Sequence, residues 1–443
     1  MEQLLHYVWK HKIFPLKPLQ TTSGQTVEVI DSGLWNRDSG PDFFNAKIKI
    51  DGVLWVGNVE IHKKASDWHN HHHDTNPEYD SVILHVASEI DYQAHRTNGE
   101  IIPQLELHYP DYLHDNYKEL MNTIHYPACY KIIPSLPRIL LHSWLNTMQM
   151  ERFEEKTERI FNLLKLCNNN WEDVFFITLS RNFGFGTNSE AFELWAKSIP
   201  LRAVDKHRDN LFQIEAIFFG QAGLIPSAQS ELSEQKENVI TKRGEDKTAS
   251  DDYTLRLGKE YEYLKHKFCL SAPDTCKWKL LRLRPGNFPY VRIAQLAYLY
   301  HNSQGLLSRI LEAKDIDTLR KLLVTGTSEY WITHYIFGEK SAPLKKSLSK
   351  ASTDILIINT VIPFLYAYGK YRASDILIER ATEFLEGIKP ENNYIVRMWK
   401  ECGLEAVHAG DSQALIQLKK NYCDTRKCLY CRIGYEFFKM EHR

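Results

Sequence analysis

Apolar positions along the first 130 residues change period over short distances, which is the mark of a mixed α/β segment. Leu4, Leu5, Val8 and Trp9 fall at helical spacing and predict a short helix over 2–12. TVEVI (26–30) predicts a strand, and the turn-rich SGLWNRDSGPD follows it. Residues 44–50 and 53–61 predict two strands about Asp51-Gly52, a strong hairpin signal. After a polar, histidine-rich stretch, the apolar run SVILHVAS (81–88) suits a buried strand, and 101–107 predicts one more.

From about residue 135 the period becomes helical. The spacing predicts helices over 139–166, 171–182, 188–198, 208–224, 253–269, 290–301, 304–312, 315–324, 354–369, 371–388, 392–402 and 411–421. Residues 225–252 are polar and poor in aromatics, so they read as an insertion or linker. No repeat of fixed period is present. The expected fold class is α+β or α/β: a mixed sheet with flanking helices over 1–130, then a large, mostly α-helical region over 131–443 that ends in a cysteine-rich tail.

Length and charge refine this picture only a little. A chain of 443 residues is too long for one ordinary core, and 43% apolar with 25% charged residues is normal for a globular protein. Lys and Arg (55) balance Asp and Glu (56), so any nucleic-acid partner would have to be drawn by a local basic groove. The first residues, MEQLLHYVWKHKIF, lack a signal pattern, and no run reaches the ~18 apolar residues of a membrane span. Eight cysteines in such a chain do not resemble a secreted disulfide framework. A cytoplasmic location without membrane association is expected. The absence of a phosphate-binding loop, a dinucleotide fingerprint or a nucleophile elbow argues against a nucleotide cofactor.

The candidate chemistry lies at Gly40-Pro41-Asp42-Phe43 and, across the hairpin, Val59-Glu60-Ile61-His62-Lys63-Lys64. Carboxylates of Asp42 and Glu60 on neighbouring strands would hold Mg²⁺ or Mn²⁺ through hard oxygen ligands, which suits phosphodiester hydrolysis. His62, and Lys64 with the same strand parity, could orient water or phosphate. Register decides whether the two acids meet. With a three-residue loop Asp42 faces Glu60; with Asp51-Gly52 alone it faces Ile61, and the carboxylates diverge. Close behind comes Ser66-Asp67-Trp68-His69-Asn70-His71-His72-His73-Asp74, then Tyr79 and His85. His71 and His73 are candidate auxiliary ligands with Asp67 orienting an imidazole, and zinc suits such donors. A surface loop that merely gathers histidines is the bland alternative.

These residues resemble the PD-(D/E)XK nuclease superfamily, with Pro41-Asp42 at its PD element and Glu60-Ile61-His62 at its (D/E)xK element. The order helix, strand, hairpin, connection, strand is similar too. The resemblance implies metal-dependent cleavage of DNA or RNA. His62 departs from the usual lysine, so the alternative is a nuclease-like fold that binds nucleic acid or protein without turnover. The whole chain also looks like a bacterial family carried as a domain of unknown function, through GPDF (40–43), VEIH (59–62), SDW (66–68), ILHV (83–86), FGQAGL (219–224), LRLRP (281–285), NFP (287–289) and SQALIQL (412–418).

Two further clusters stand out. Arg282, Arg284 and Arg292 interleave with aromatics in WKLLRLRPGNFPYVRIAQ, which suits phosphate contact with base stacking or equally the bracing of helix ends. Cys423, Cys428 and Cys431 form C-x4-C-x2-C, a candidate site for zinc or an iron–sulfur cluster. Cys402, Cys129 or, for zinc, His408 could supply a fourth ligand; the alternative is three incidental thiols.

Overall fold

Helix α1 (Glu2–Lys10) carries Glu2 in its first turn and Lys10 in its last, each matched to the helix dipole. It is buried on almost every side, from Leu4 to Trp9, and the Trp9 indole donates to the Ser32 carbonyl at 3.1 Å. The computed structural model describes residues 2–14, 17–36, 39–226, 251–273 and 276–440; nearly all of the expected insertion at 225–252 lies outside them.

A seven-stranded mixed sheet follows, built from β1 (Leu19–Gln20), β2 (Thr26–Asp31), β3 (Leu34–Trp35), β4 (Phe43–Ile50), β5 (Val53–Lys64), β6 (Val82–Glu89) and β7 (Gln104–Glu106). The order is β1-β2-β4-β5-β6-β7, with β3 on β4. Strands β2, β4 and β5 are antiparallel, whereas β5, β6 and β7 run parallel. Parallel neighbours need a crossover, and the one between β5 and β6 carries the short helix α2 (Asp67–Asn70) and the histidine-rich loop. Trp68, Tyr79, Val82, Ala94 and Ile102 pack beneath it.

The β4–β5 hairpin turns on Asp51 and Gly52, both at positive φ (48° and 78°), as a two-residue turn of the inverse type requires. Ile50 pairs with Val53, and the ladder runs regularly to Ala46 opposite Gly57. It then shifts by one residue, and Phe43 pairs with Val59. Asn45, at φ 54°, sits in the shift, as expected of a β-bulge. The short loop alone would set Asp42 against Ile61; the bulge moves Asp42 opposite Glu60.

Beyond helix α3 (Asp111–Asn122) the chain is helical, from Arg138–Leu166 to Ala409–Leu418, with an extensive aromatic and aliphatic core. One continuous helical stretch, Lys350–Arg372, is long and apolar enough to cross a membrane by length and composition; 67% of its apolar window is buried inside the protein, as in a core helix. Its π turn at Ile357–Val361 precedes Pro363, whose ring forbids the regular hydrogen bond. The chain divides into two compact units. One comprises 1–144, 398–404 and 418–443; the other comprises 145–397 and 405–417.

Candidate metal centre

Glu60 is the centre of the N-terminal cluster and is only 5% exposed. Its Oε2 accepts from the Asp42 backbone N–H at 3.0 Å, and the Ile61 N–H donates to Asp42 Oδ2 at 2.9 Å. The two acids thus clasp each other's strands through backbone donors, which ties their carboxylates to one face. Glu60 Oε1 looks the other way, toward His73 Nε2 at 3.3 Å and His62 Nε2 at 3.5 Å. Burial, reinforced by the charge of Asp42, pushes the Glu60 carboxyl far above the usual carboxylate range.

Helix α1 adds His6, whose Nε2 lies 3.1 Å from Asp42 Oδ2. Burial opposes a charge on His6, but contact with Asp42 outweighs it and raises its pKa. Nothing in the local pattern of α1 singles His6 out; its partner is far away in sequence, and only the fold joins them.

The crossover loop supplies the imidazoles. Among the described residues, His62, His71 and His73 are the one group of three or more candidate ligands whose donor atoms all lie within 4.8 Å of one another. His73 is buried and stacks on Tyr79 with ring centroids 3.7 Å apart, while His71 is exposed and leaves the cluster open on that side. Trp68 meets the His73 ring edge-on and donates its indole N–H to the His95 carbonyl at 3.0 Å.

His62 has a second set of partners. Its Nδ1 lies 2.9 Å from His85 Nε2, and His85 Nδ1 lies 3.1 Å from Gln104 Nε2. Backbone groups fix the Gln104 amide, because the Ala94 N–H donates to its Oε1 and its Nε2 donates to the Tyr92 carbonyl. Gln104 Nε2 is therefore the donor to His85 Nδ1. His85 must carry its proton on Nε2 and give it to His62 Nδ1, so His62 carries its own on Nε2. Burial, with the neighbouring imidazoles, lowers His62 to about 2 and His85 to about 3, so both rings are neutral. His62 thus presents an N–H toward Glu60 Oε1 and His71 Nδ1, the latter at 3.2 Å. It is a donor in this arrangement and not a free ligand.

Other candidates from the sequence lie elsewhere. Lys64 pairs with Glu89 at 3.2 Å and Asp91 at 3.9 Å, with its side chain 45% exposed. Asp67 accepts from the Lys64 backbone and from Asn70, not from an imidazole. Arg292 is buried, donates to Gln295 and Asn287, and lies 4.4 Å over the Phe185 ring. Arg282, at φ 66°, and Arg284 are exposed.

The tail cysteines form a separate cluster. Cys423, Cys428 and Cys431 line one cavity of about 20 Å³ together with Cys129, Tyr126 and Arg426. Burial, added to the proximity of the other thiols, holds Cys129 well above its usual range and pushes Cys428 to about 11. Cys402 does not line this cavity, and His408 lies 3.8 Å from Asp411.

The chain belongs to the family described as Protein of unknown function (DUF2851), which matches residues 2–394. No curated protein and no solved structure matches it.

Proposed function

We propose that this member of the DUF2851 family is a metal-dependent phosphodiesterase of the PD-(D/E)XK kind, acting on DNA or RNA. The observation that carries the reading is that Glu60 Oε1 faces His73 at 3.3 Å and His71 faces the N–H of His62 at 3.2 Å, while backbone hydrogen bonds join Asp42 to Glu60. The sheet supports it: three antiparallel strands, then a crossover to a strand parallel to the third, is the order that the motif resemblance implied.

The residues fit a divalent cation by their chemistry. A buried carboxylate that, among the described residues, meets only imidazole nitrogens at Oε1 lacks the positive charge that would keep it ionised. Glu60 Oε1, His71 and His73, with Asp42, would hold the ion. Two imidazoles favour manganese or zinc over magnesium. When bound, the cation supplies Lewis-acid neutralisation of the charge that builds on the scissile phosphate. His62 takes the place of the family's lysine as a hydrogen-bond donor without charge, positioned to hold the attacking water or a phosphate oxygen. The relay from Gln104 through His85 keeps the proton on the side of His62 that faces the pocket. His6 holds Asp42 in place from behind.

A second reading, binding of nucleic acid or protein without turnover, is favoured by the same neutral ring, since His62 supplies no positive charge. Incubation of the full-length protein with single- and double-stranded DNA and RNA in Mn²⁺ separates the two. Cleavage that chelator abolishes, and that Glu60→Gln lowers by at least about 100-fold, is expected. Binding without cleavage of any substrate selects the second reading.

A further inference from the structure

The tail cluster is independent of the phosphodiesterase reading and carries its own chemistry. Its thiols come from two distant stretches of chain. Cys129 lies just beyond α3, whereas Cys423, Cys428 and Cys431 lie in the final segment. Bringing such segments together costs loop-closure entropy, and the fold holds them with specific contacts. Arg426, at φ 54°, donates to the Leu120 carbonyl at 3.0 Å. Tyr126 donates to Asp424 at 2.6 Å. The buried Asn116 amide reaches the Met440 carbonyl at 2.9 Å. A Cβ on Gly434 would stand 2.1 Å from the Cys428 carbonyl oxygen, so only glycine lets the last helix approach the C-x2-C turn.

We propose that Cys129, Cys423, Cys428 and Cys431 hold an iron–sulfur cluster that fastens the C-terminal segment to the N-terminal unit. Cys129 is the fourth ligand; neither Cys402 nor His408 lines the cavity.

The four thiols surround one apolar cavity, and an all-thiolate set screened from water suits an iron–sulfur core with its own sulfide. A single zinc ion is the other occupant of four cysteines, and metal and sulfide content tells the two apart. The surroundings complete the site. The Trp144 indole N–H is buried without a partner and lies beside Cys431, whose sulfur also faces the backbone N–H groups of Ile433 and Gly434. A thiolate would give these donors an acceptor, as sulfur ligands of such clusters require.

The test is metal and sulfide analysis of the full-length protein prepared without oxygen and reconstituted with iron and sulfide. About four iron and four acid-labile sulfide per chain are expected, with a broad visible absorption that dithionite bleaches. Cys129→Ser should lose most of both, while Cys402→Ser keeps them. Zinc at one equivalent without sulfide, or no bound metal in the parent protein, overturns the proposal without reference to any variant. So does iron retained in Cys129→Ser and lost in Cys402→Ser.

Discussion

Glu60 and Glu215 are both buried carboxylates, and their neighbours give them different consequences. Glu215 is surrounded by neutral donors, the Tyr253 hydroxyl and the Ser328 hydroxyl at 3.0 Å. Burial, only partly offset by these donors, raises it from 4.5 to about 7. Folding then takes up a proton that the unfolded chain releases between those values. Its contribution to stability is complete below pH 4.5 and is lost as pH rises through about 7, with linkage of roughly 3 kcal/mol at most. Glu215→Gln keeps the neutral shape and removes the slope. Thermal midpoints of the variant at pH 5 and 8 should therefore differ less than those of the parent; an unchanged difference would show that Glu215 does not titrate there. The relay beside Glu60 makes a second residue-scale prediction. Gln104→Glu replaces the donor facing His85 with an acceptor, so the protons of both rings reverse and His62 Nε2 becomes a bare lone pair. Cleavage should fall by about 100-fold while bound Mn²⁺ is retained, which titration of the ion beside a turnover assay measures. Equal loss of both would mean that His62 acts only in binding. The acids and histidines were legible in the sequence as residue types. Which nitrogen of His62 carries the proton was not, because that depends on which way a distant amide points.

At the scale of elements, the β4–β5 hairpin decides the site. The Asp51-Gly52 turn was readable from two residues, and so were the strands on either side. Those same residues, with a two-residue loop, imply that Asp42 and Glu60 diverge. The conformation of Asn45 reverses that outcome, and no hydrophobic alternation announces a bulge. A β-branched residue at such a positive φ costs about 1–2 kcal/mol. Asn45→Val should lower the unfolding free energy by that amount and weaken Mn²⁺ binding as the register slips, whereas Asn45→Gly should preserve both. Chemical denaturation and metal titration of the pair check this; equal behaviour of the two variants would show that Asn45 does not set the register. The last helix offers a parallel case. Gly434→Ala places a methyl against the backbone of Cys428, where no side-chain rotation relieves it. A loss of about 1–3 kcal/mol is expected, again by denaturation.

At the scale of the whole chain, the change from mixed sheet to helices near residue 135 was plain, because hydrophobic period changes there and stays changed. Most helix limits agree within a few residues, since caps such as Asn170, Asn210 and Asp315 act locally. Two things were hidden. The chain returns, so that 418–443 groups with the N-terminal unit, and a linear boundary has no means of expressing this. The apolar stretch at Lys350–Arg372 has the composition of a membrane span and the burial of a core helix, a distinction that only packing makes. In the proposed site Glu60, Asp42 and the crossover histidines share one divalent ion. Calorimetric titration of Mn²⁺ into the apoprotein tests it most directly. One equivalent should bind to the parent, and none to the double variant Glu60→Ala/His73→Ala with its fold retained. Absence of binding to the parent, or undiminished binding to that variant, would contradict the claim.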